Sequence, residues 1–187
     1  RAVIAFAERY ADAARTAAVN AEEEERNHLL RIATALDRAP AGPALDFFTA
    51  LQAIWLIQLV TSCVVGARDF AYGRLDQYLL PLYEQGMRDG SLDRDTARAY
   101  LAHLFIKTKE ITGTATDNYR TKPTPSHASN QYVIIGGVTP AGEDAVNDLS
   151  YLILEAVCLA DVPQPEINVR IDEGSPDAFK EAVARAV

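Results

Sequence analysis

Cysteine, methionine and tryptophan are scarce in this sequence, at two, one and one residues. Two cysteines cannot build a disulfide framework, and neither a CxxC pair nor a Cys/His cluster marks a zinc site. Excess positive charge is missing too. Lys plus Arg number 18 against 26 Asp plus Glu, a formal charge of −8. An acidic chain without a basic cluster argues against nucleic acid or an anionic membrane as partner. No secretory h-region is present, since Glu8 and Arg9 fall within the first turns. The longest apolar run, Ala53 to Val65, contains Gln58, Thr61 and Ser62. That reads as too short and too polar to span a bilayer, and as a buried core helix instead. The expected setting is reducing and cytoplasmic, without membrane association.

What is present is ordinary globular composition: 187 residues, 49% apolar and 24% charged. That length suits one large domain or a piece of a bigger one. Disorder and coiled coil are both disfavoured, and no internal repeat is apparent. Residues 1 to about 37 read as one helix, rich in Ala and free of Pro and Gly. Glu22 to Glu25 reads as its solvated face. Pro40-Ala41-Gly42-Pro43 breaks it. A second helix covers Leu45 to about Val65. Gly66 to Gly73 reads as a loop. Arg74 to Met87 follows as a third helix, interrupted at Pro81. Asp93 caps a fourth that ends near Thr112. Thr114 to Ser129 reads as a polar loop.

The pattern then changes. Tyr132-Val133-Ile134-Ile135 is an uninterrupted apolar β run stopped by Gly136-Gly137, the signature of a strand buried on both faces. Asp144 to Ala160 is an amphipathic helix and Glu166 to Ile171 a second strand. Ser175-Pro176 opens a last helix that runs to Val187, with Ser175 as N-cap. Strand, helix, strand, helix implies a parallel sheet with helical crossovers. Two strands are too few to stand alone, so the segment reads as part of a larger α/β structure.

Few residues here carry chemistry on their own. Cys63 and Cys158 read as small buried hydrophobes. His28, His103 and His127 share no metal-ligand spacing. Gly136-Gly137 lacks the helix-opening GxGxxG context of a nucleotide loop. Arg68 and Asp69 place opposite charges in a short loop after a very apolar helix, and composition alone favours a surface ion pair there. Asn130 and Gln131 lie just before the buried strand, where polar residues either face a pocket or satisfy backbone groups.

Four blocks carry a resemblance. They are Ala50-Leu51-Gln52-Ala53-Ile54-Trp55, then Gly73-Arg74-Leu75-Asp76-Gln77-Tyr78-Leu79-Leu80-Pro81-Leu82-Tyr83, then Gly136 through Tyr151, then Leu159 through Ile171 with Pro163-Gln164-Pro165 and Val169-Arg170-Ile171. In this order and spacing they resemble the glycyl radical enzyme family, pyruvate formate-lyase-like, across essentially the whole chain. The resemblance implies a ten-stranded α/β barrel of two antiparallel half-barrels wrapped in helices, to which this mostly helical segment contributes the first strands. Residues 1–113 would be the helical part and 130–187 the strand-helix-strand-helix part.

The resemblance also implies a radical mechanism. An activating enzyme with S-adenosylmethionine and an iron–sulfur cluster installs a glycyl radical. A cysteine thiyl then abstracts hydrogen from substrate, and in dehydratases a nearby Glu acts as base. The Gly-Cys-Val-Glu-like loop and the Arg-Val-x-Gly-Tyr-like glycyl loop are not in these 187 residues. Neither Cys63 nor Cys158 stands at the catalytic position. No catalytic residue, metal ligand or directly bound cofactor is therefore assigned within the chain, which reads as an internal fragment inactive in isolation.

The Gly-Arg-Leu-Asp-Gln-Tyr-Leu block resembles the dehydratase, decarboxylase and C–N lyase branch. The implied reaction is elimination on a small polar substrate, with decarboxylation or formate acetyltransferase-type acyl transfer as alternatives within the family. A non-catalytic helical interaction module, or a degenerate fragment, is the alternative outside it. Carry-over places substrate contacts at Arg68, Asp69, Asn130 and Gln131. Arg68-Asp69 replaces a His-Ser pair of diol dehydratases, which points away from glycerol. An arginine fork suits a carboxylate or sulfonate, and Asp suits an ammonium or hydroxyl. The expected partners are a small-molecule substrate, the activating enzyme, the remainder of the barrel and further copies in a homo-oligomer.

Overall fold

The computed structural model describes residues 1–65, 70–111 and 131–186. Two helices, the alanine-rich α1 (Ala2–Ala18) and α2 (Glu23–Arg38), replace the single helix expected over 1–37. The physical reason is burial. Ala7, Ala11 and Ala14 form a stripe of small side chains that a straight helix would leave in water. Folding back packs the stripe against Ala33, Leu36 and Leu56. The turn needs no glycine, because Arg26 ties off the end of α1: its guanidinium donates to the Ala18 carbonyl at 3.2 Å and to the Ala21 carbonyl at 2.7 Å.

Helix α3 (Phe47–Val60) begins where Asp46 caps it, accepting from the Thr49 N–H at 2.8 Å. It continues as a π-helical turn, Thr61–Val65. The continuous apolar helix Phe47–Val65 has 19 residues and mean hydropathy 1.8. It is thus long and apolar enough to cross a membrane, which corrects the expectation of too short a run. Its first turns are buried at Phe47, Phe48, Ala50 and Leu51 within the core.

Strand β1 (Phe70–Arg74) lies where a loop was expected. Its sequence, Phe-Ala-Tyr-Gly-Arg, has weak strand propensity, and pairing with a neighbour decides its conformation. Two helices follow, α4 (Leu75–Tyr78) and α5 (Leu80–Asp89), separated just before Pro81 as expected. Helix α6 (Arg94–Ile111) starts at Asp93, which accepts from both the Thr96 N–H and its hydroxyl.

Strands β2 (Gln131–Gly136) and β3 (Glu166–Arg170) flank helix α7 (Asp148–Ala160), and α8 (Asp177–Ala186) closes the described chain. Helix α8 starts at Asp177, and the Oγ of Ser175, the expected N-cap, accepts from the Asp172 N–H at 3.0 Å, closing the turn that leads into the helix.

The sheet order is β1-β2-β3, all parallel, with Phe70 paired to Gln131, Tyr132 to Glu166 and a bulge at Tyr72. The layered parallel sheet thus has three described strands. Contrary to the two-faced burial expected of it, β2 alternates. Val133 and Ile135 are fully buried against α7 and Phe179, while Tyr132 and Ile134 are only half-buried on the opposite face. One core joins this sheet to α4 through α7, with Leu75, Leu101, Phe105, Leu149 and Leu152 wholly enclosed.

Candidate functional site

The blocks Gly73–Tyr83 and Gly136–Tyr151 meet at the C-terminal end of β2. Asp76 is fully buried there. Its Oδ2 accepts from the Gly136 N–H at 2.8 Å and from the Ser150 hydroxyl at 2.7 Å. Its backbone carbonyl accepts from the Asn147 side chain at 3.2 Å. Arg74 donates to the Val138 and Gly136 carbonyls at 2.9 and 2.7 Å, and Gln77 to the Ala145 carbonyl at 2.8 Å. Asn147 caps α7 with Ser150 in a reciprocal box. Gly136 and Gly137 take φ of +71° and +80°. A Cβ on Gly136 would stand 2.7 Å from the Arg170 carbonyl, so only glycine fits. These residues form a clasp holding sheet to helix, with chemistry that is structural.

The opposite end of the sheet, where β1 and β2 begin, gathers a different set. Gln131 is the first residue of β2 and is fully buried. Gln58 of α3 donates to its side-chain Oε1 at 2.8 Å. The Gln131 backbone N–H donates to Gln164 Oε1 at 2.9 Å. Ser62, in the π-helical turn, is buried nearby in sequence, and π-turns recur at functional sites. Tyr72 pairs its hydroxyl with Thr108 at 2.6 Å. Burial pushes the Tyr72 hydroxyl well above the ordinary tyrosine range, only partly offset by Thr108. The same cause raises Tyr78, whose hydroxyl donates to the Tyr72 carbonyl at 2.9 Å. Both phenols stay neutral donors at physiological pH.

Of the four residues singled out by the sequence, Gln131 therefore sits at this end of the sheet, facing the helices. Arg68, Asp69 and Asn130 lie outside the described residues, as does His127. The first described residues after the 68–69 and 130 positions, Phe70 and Gln131, are register partners. Gln58 and Ser62 were missed as site residues. The available signal was a pair of polar side chains four apart inside an otherwise apolar helix.

His28 and His103, unrelated in sequence, line one groove of about 600 Å³ between α2, α3 and α6, with Phe48, Trp55, Tyr100 and Lys107. Arg31 lies over the Phe48 ring, 4.4 Å from its centroid. Cys63 is half-buried and Cys158 exposed, so the buried position expected of Cys158 is not what α7 provides.

A parallel sheet with helical crossovers, clasped by these blocks, defines a segment of a larger α/β enzyme fold. The family model described as pyruvate formate lyase-like matches residues 1–187. The chain belongs to that family. Trans-4-hydroxy-L-proline dehydratase from Clostridioides difficile is 32% identical over 180 residues, covering 95% of this chain and 23% of the relative. Isethionate sulfite-lyase from Bilophila wadsworthia is 31% identical, covering 100% of this chain and 23% of the relative. The crystal structure of a glycyl radical enzyme from Archaeoglobus fulgidus superposes with a TM-score of 0.85 at 35% identity, over 99% of this chain and 24% of that one. The chain thus spans about a quarter of the length of the proteins it matches, and its mostly helical fold with a small parallel sheet is a part of such barrels.

Proposed function

We propose that this chain is the portion of a glycyl radical lyase that shapes one end of the substrate site, acting on a small polar substrate that bears a carboxylate or sulfonate. The carrying observation is the pairing of Phe70 with Gln131. It sets side by side two strand starts, Phe70 and Gln131, that follow directly in sequence on Arg68-Asp69 and on Asn130. Arg68 binds the anionic end of the substrate with its fork, and Asp69 takes an ammonium or hydroxyl. Asn130 contributes a further polar contact to the substrate, and Gln131 is held by Gln58. The names of the relatives support this reading, since hydroxyproline is zwitterionic and isethionate is a sulfonate.

The radical, installed on a glycine elsewhere in the polypeptide by an S-adenosylmethionine iron–sulfur activating enzyme, would supply hydrogen abstraction. Cys63, half-buried in the π-turn, and Cys158, exposed on α7, carry no part of that chemistry in this reading. The residues of this chain accordingly bind and orient substrate.

The chain depends on the rest of its barrel and on further copies of itself. Val64 and Val65 are each 73% exposed, and β1 and β3 are edges among the described strands. Such surfaces associate when left open. A helical part over 1–113, a barrel part over 130–187 and a cytoplasmic setting complete the reading.

The decisive experiment uses the activated full-length enzyme. Arg68→Ala should raise KM about a hundredfold for trans-4-hydroxy-L-proline or isethionate, the loss of a desolvated charge partner. An unchanged KM would sink the assignment.

A further inference from the structure

Two buried polar atoms on α3 and its π-helical extension lack partners. Gln58 is 0% and Ser62 7% exposed. Neither Gln58 Oε1 nor Ser62 Oγ has a hydrogen bond. Buried acceptors left dry are costly, and native cores rarely keep them. The Gln58 amide is oriented by its Nε2–H, which donates to Gln131 at 2.8 Å. That leaves Oε1 able to accept from another donor. A helical serine or threonine usually satisfies itself on the carbonyl four residues back. Thr61 does so with Ile57 at 2.7 Å and Thr108 with Leu104 at 2.7 Å. Ser62 does not. Positions four apart share a helix face, so the two orphans can serve one guest.

We propose that Gln58 Oε1 and Ser62 Oγ hold one buried water, and that Gln58 is a positioning residue for the head of β2. Water fits because it donates to the amide oxygen and exchanges a hydrogen bond with the hydroxyl. Gln131 is then pinned on two sides, by Gln58 through its side chain and by Gln164 through its backbone. Gln58 reaches the substrate only through Gln131. That last step rests on the reading that substrate meets the segments before β1 and β2.

A crystal structure of the full-length enzyme, at a resolution that shows ordered water, should place a peak about 2.7–3.2 Å from both atoms. An empty position, or a protein atom there, overturns the water site. Gln58→Met should lower the unfolding temperature. The double variant Gln58→Met/Gln131→Met should recover part of it, because the two side chains of the Gln58–Gln131 bond are removed together. In that double variant, amide exchange over residues 131–133 should remain about tenfold faster than wild type. Exchange restored along with the unfolding temperature would make the pair merely structural and overturn the positioning role.

Calorimetric binding of trans-4-hydroxy-L-proline and isethionate adds the substrate arm. Whichever probe the wild type binds should bind the double variant about tenfold more weakly, and unaltered affinity overturns the link to substrate. If the wild type binds neither probe, the substrate reading fails by itself. The density peak and the exchange rates then still decide the water and the positioning role.

Discussion

Removing the Asp76 carboxylate is expected to open the clasp at the end of β2. Asp76→Ala strips the acceptor from the Gly136 N–H and from the Ser150 hydroxyl, now bound at 2.8 and 2.7 Å. Each orphaned buried donor costs about 1–3 kcal/mol, with bonds to charged acceptors at the upper end. Ser150 keeps a second bond, accepting from the Asn147 N–H at 3.1 Å, so its share is the smaller. Relief from burying a carboxylate, whose Oδ1 has no hydrogen-bond partner, offsets part of the loss. A net loss of about 3 kcal/mol follows, which multiplies the opening equilibrium roughly a hundredfold or more. Asp76→Asn with its oxygen in the Oδ2 place keeps the acceptor for both donors and leaves only its amide, in the Oδ1 place, without a partner, so about 1 kcal/mol is expected. Amide exchange at Gly136 in the full-length protein reads this local opening directly. If Asp76→Ala accelerates exchange less than tenfold, or Asp76→Asn proves as damaging as Asp76→Ala, the clasp does not work as described.

Gly136→Ala should cost at least about 2 kcal/mol, combining a left-handed backbone with the Arg170 carbonyl 2.7 Å away. A thermal unfolding curve matching wild type would refute it. Arg94 bridges Asp148 and Glu155 at 2.7 and 2.8 Å, but all three are 38–58% exposed. Arg94→Met should therefore cost less than about 1 kcal/mol, and a loss of twice that would mean the bridge is not screened by solvent. The Thr96 hydroxyl and N–H hold the Asp93 carboxyl below its ordinary value of 3.8. A depressed folded value means the cap contributes above that ordinary value and fades as pH falls through the folded one. An NMR titration of Asp93 midway at or above 3.8 would contradict it. Burial, then the Asp148 carboxylate, pushes the Tyr83 hydroxyl from 10.0 up to about 12. Its contribution is complete below pH 10 and lost as pH rises through 12. Tyr83→Phe should flatten that alkaline decline, and an unaltered profile in chemical denaturation would count against it.

Much of the helical order was legible because capping and breaking residues act locally. Asp93 as a cap, the interruption before Pro81 and the strands around α7 needed only neighbours a few positions away. The resemblance of four blocks carried the family in the same way, since it resides in residue order. The break between α1 and α2 was hidden, because no Pro or Gly marks it. It follows from burying the alanine stripe of α1 on Ala33, Leu36 and Leu56, a long-range demand. Strand β1 was hidden for a related reason: Phe-Ala-Tyr-Gly-Arg becomes extended only when β2 supplies its hydrogen bonds.

The sequence alone determined the acidic surface, the helix caps, the βαβ order and the kinship with glycyl radical enzymes, all properties of composition or short spacing. Tertiary structure alone decided which end of the sheet is a clasp and which collects buried polar groups. Asp76 meets Gly136 across 60 positions of chain and Gln58 meets Gln131 across 73. Nothing in their local sequence says which partner each of the two glutamines and the aspartate meets. They acquire a role because a parallel sheet, through its crossovers, brings distant strand ends into hydrogen-bonding register.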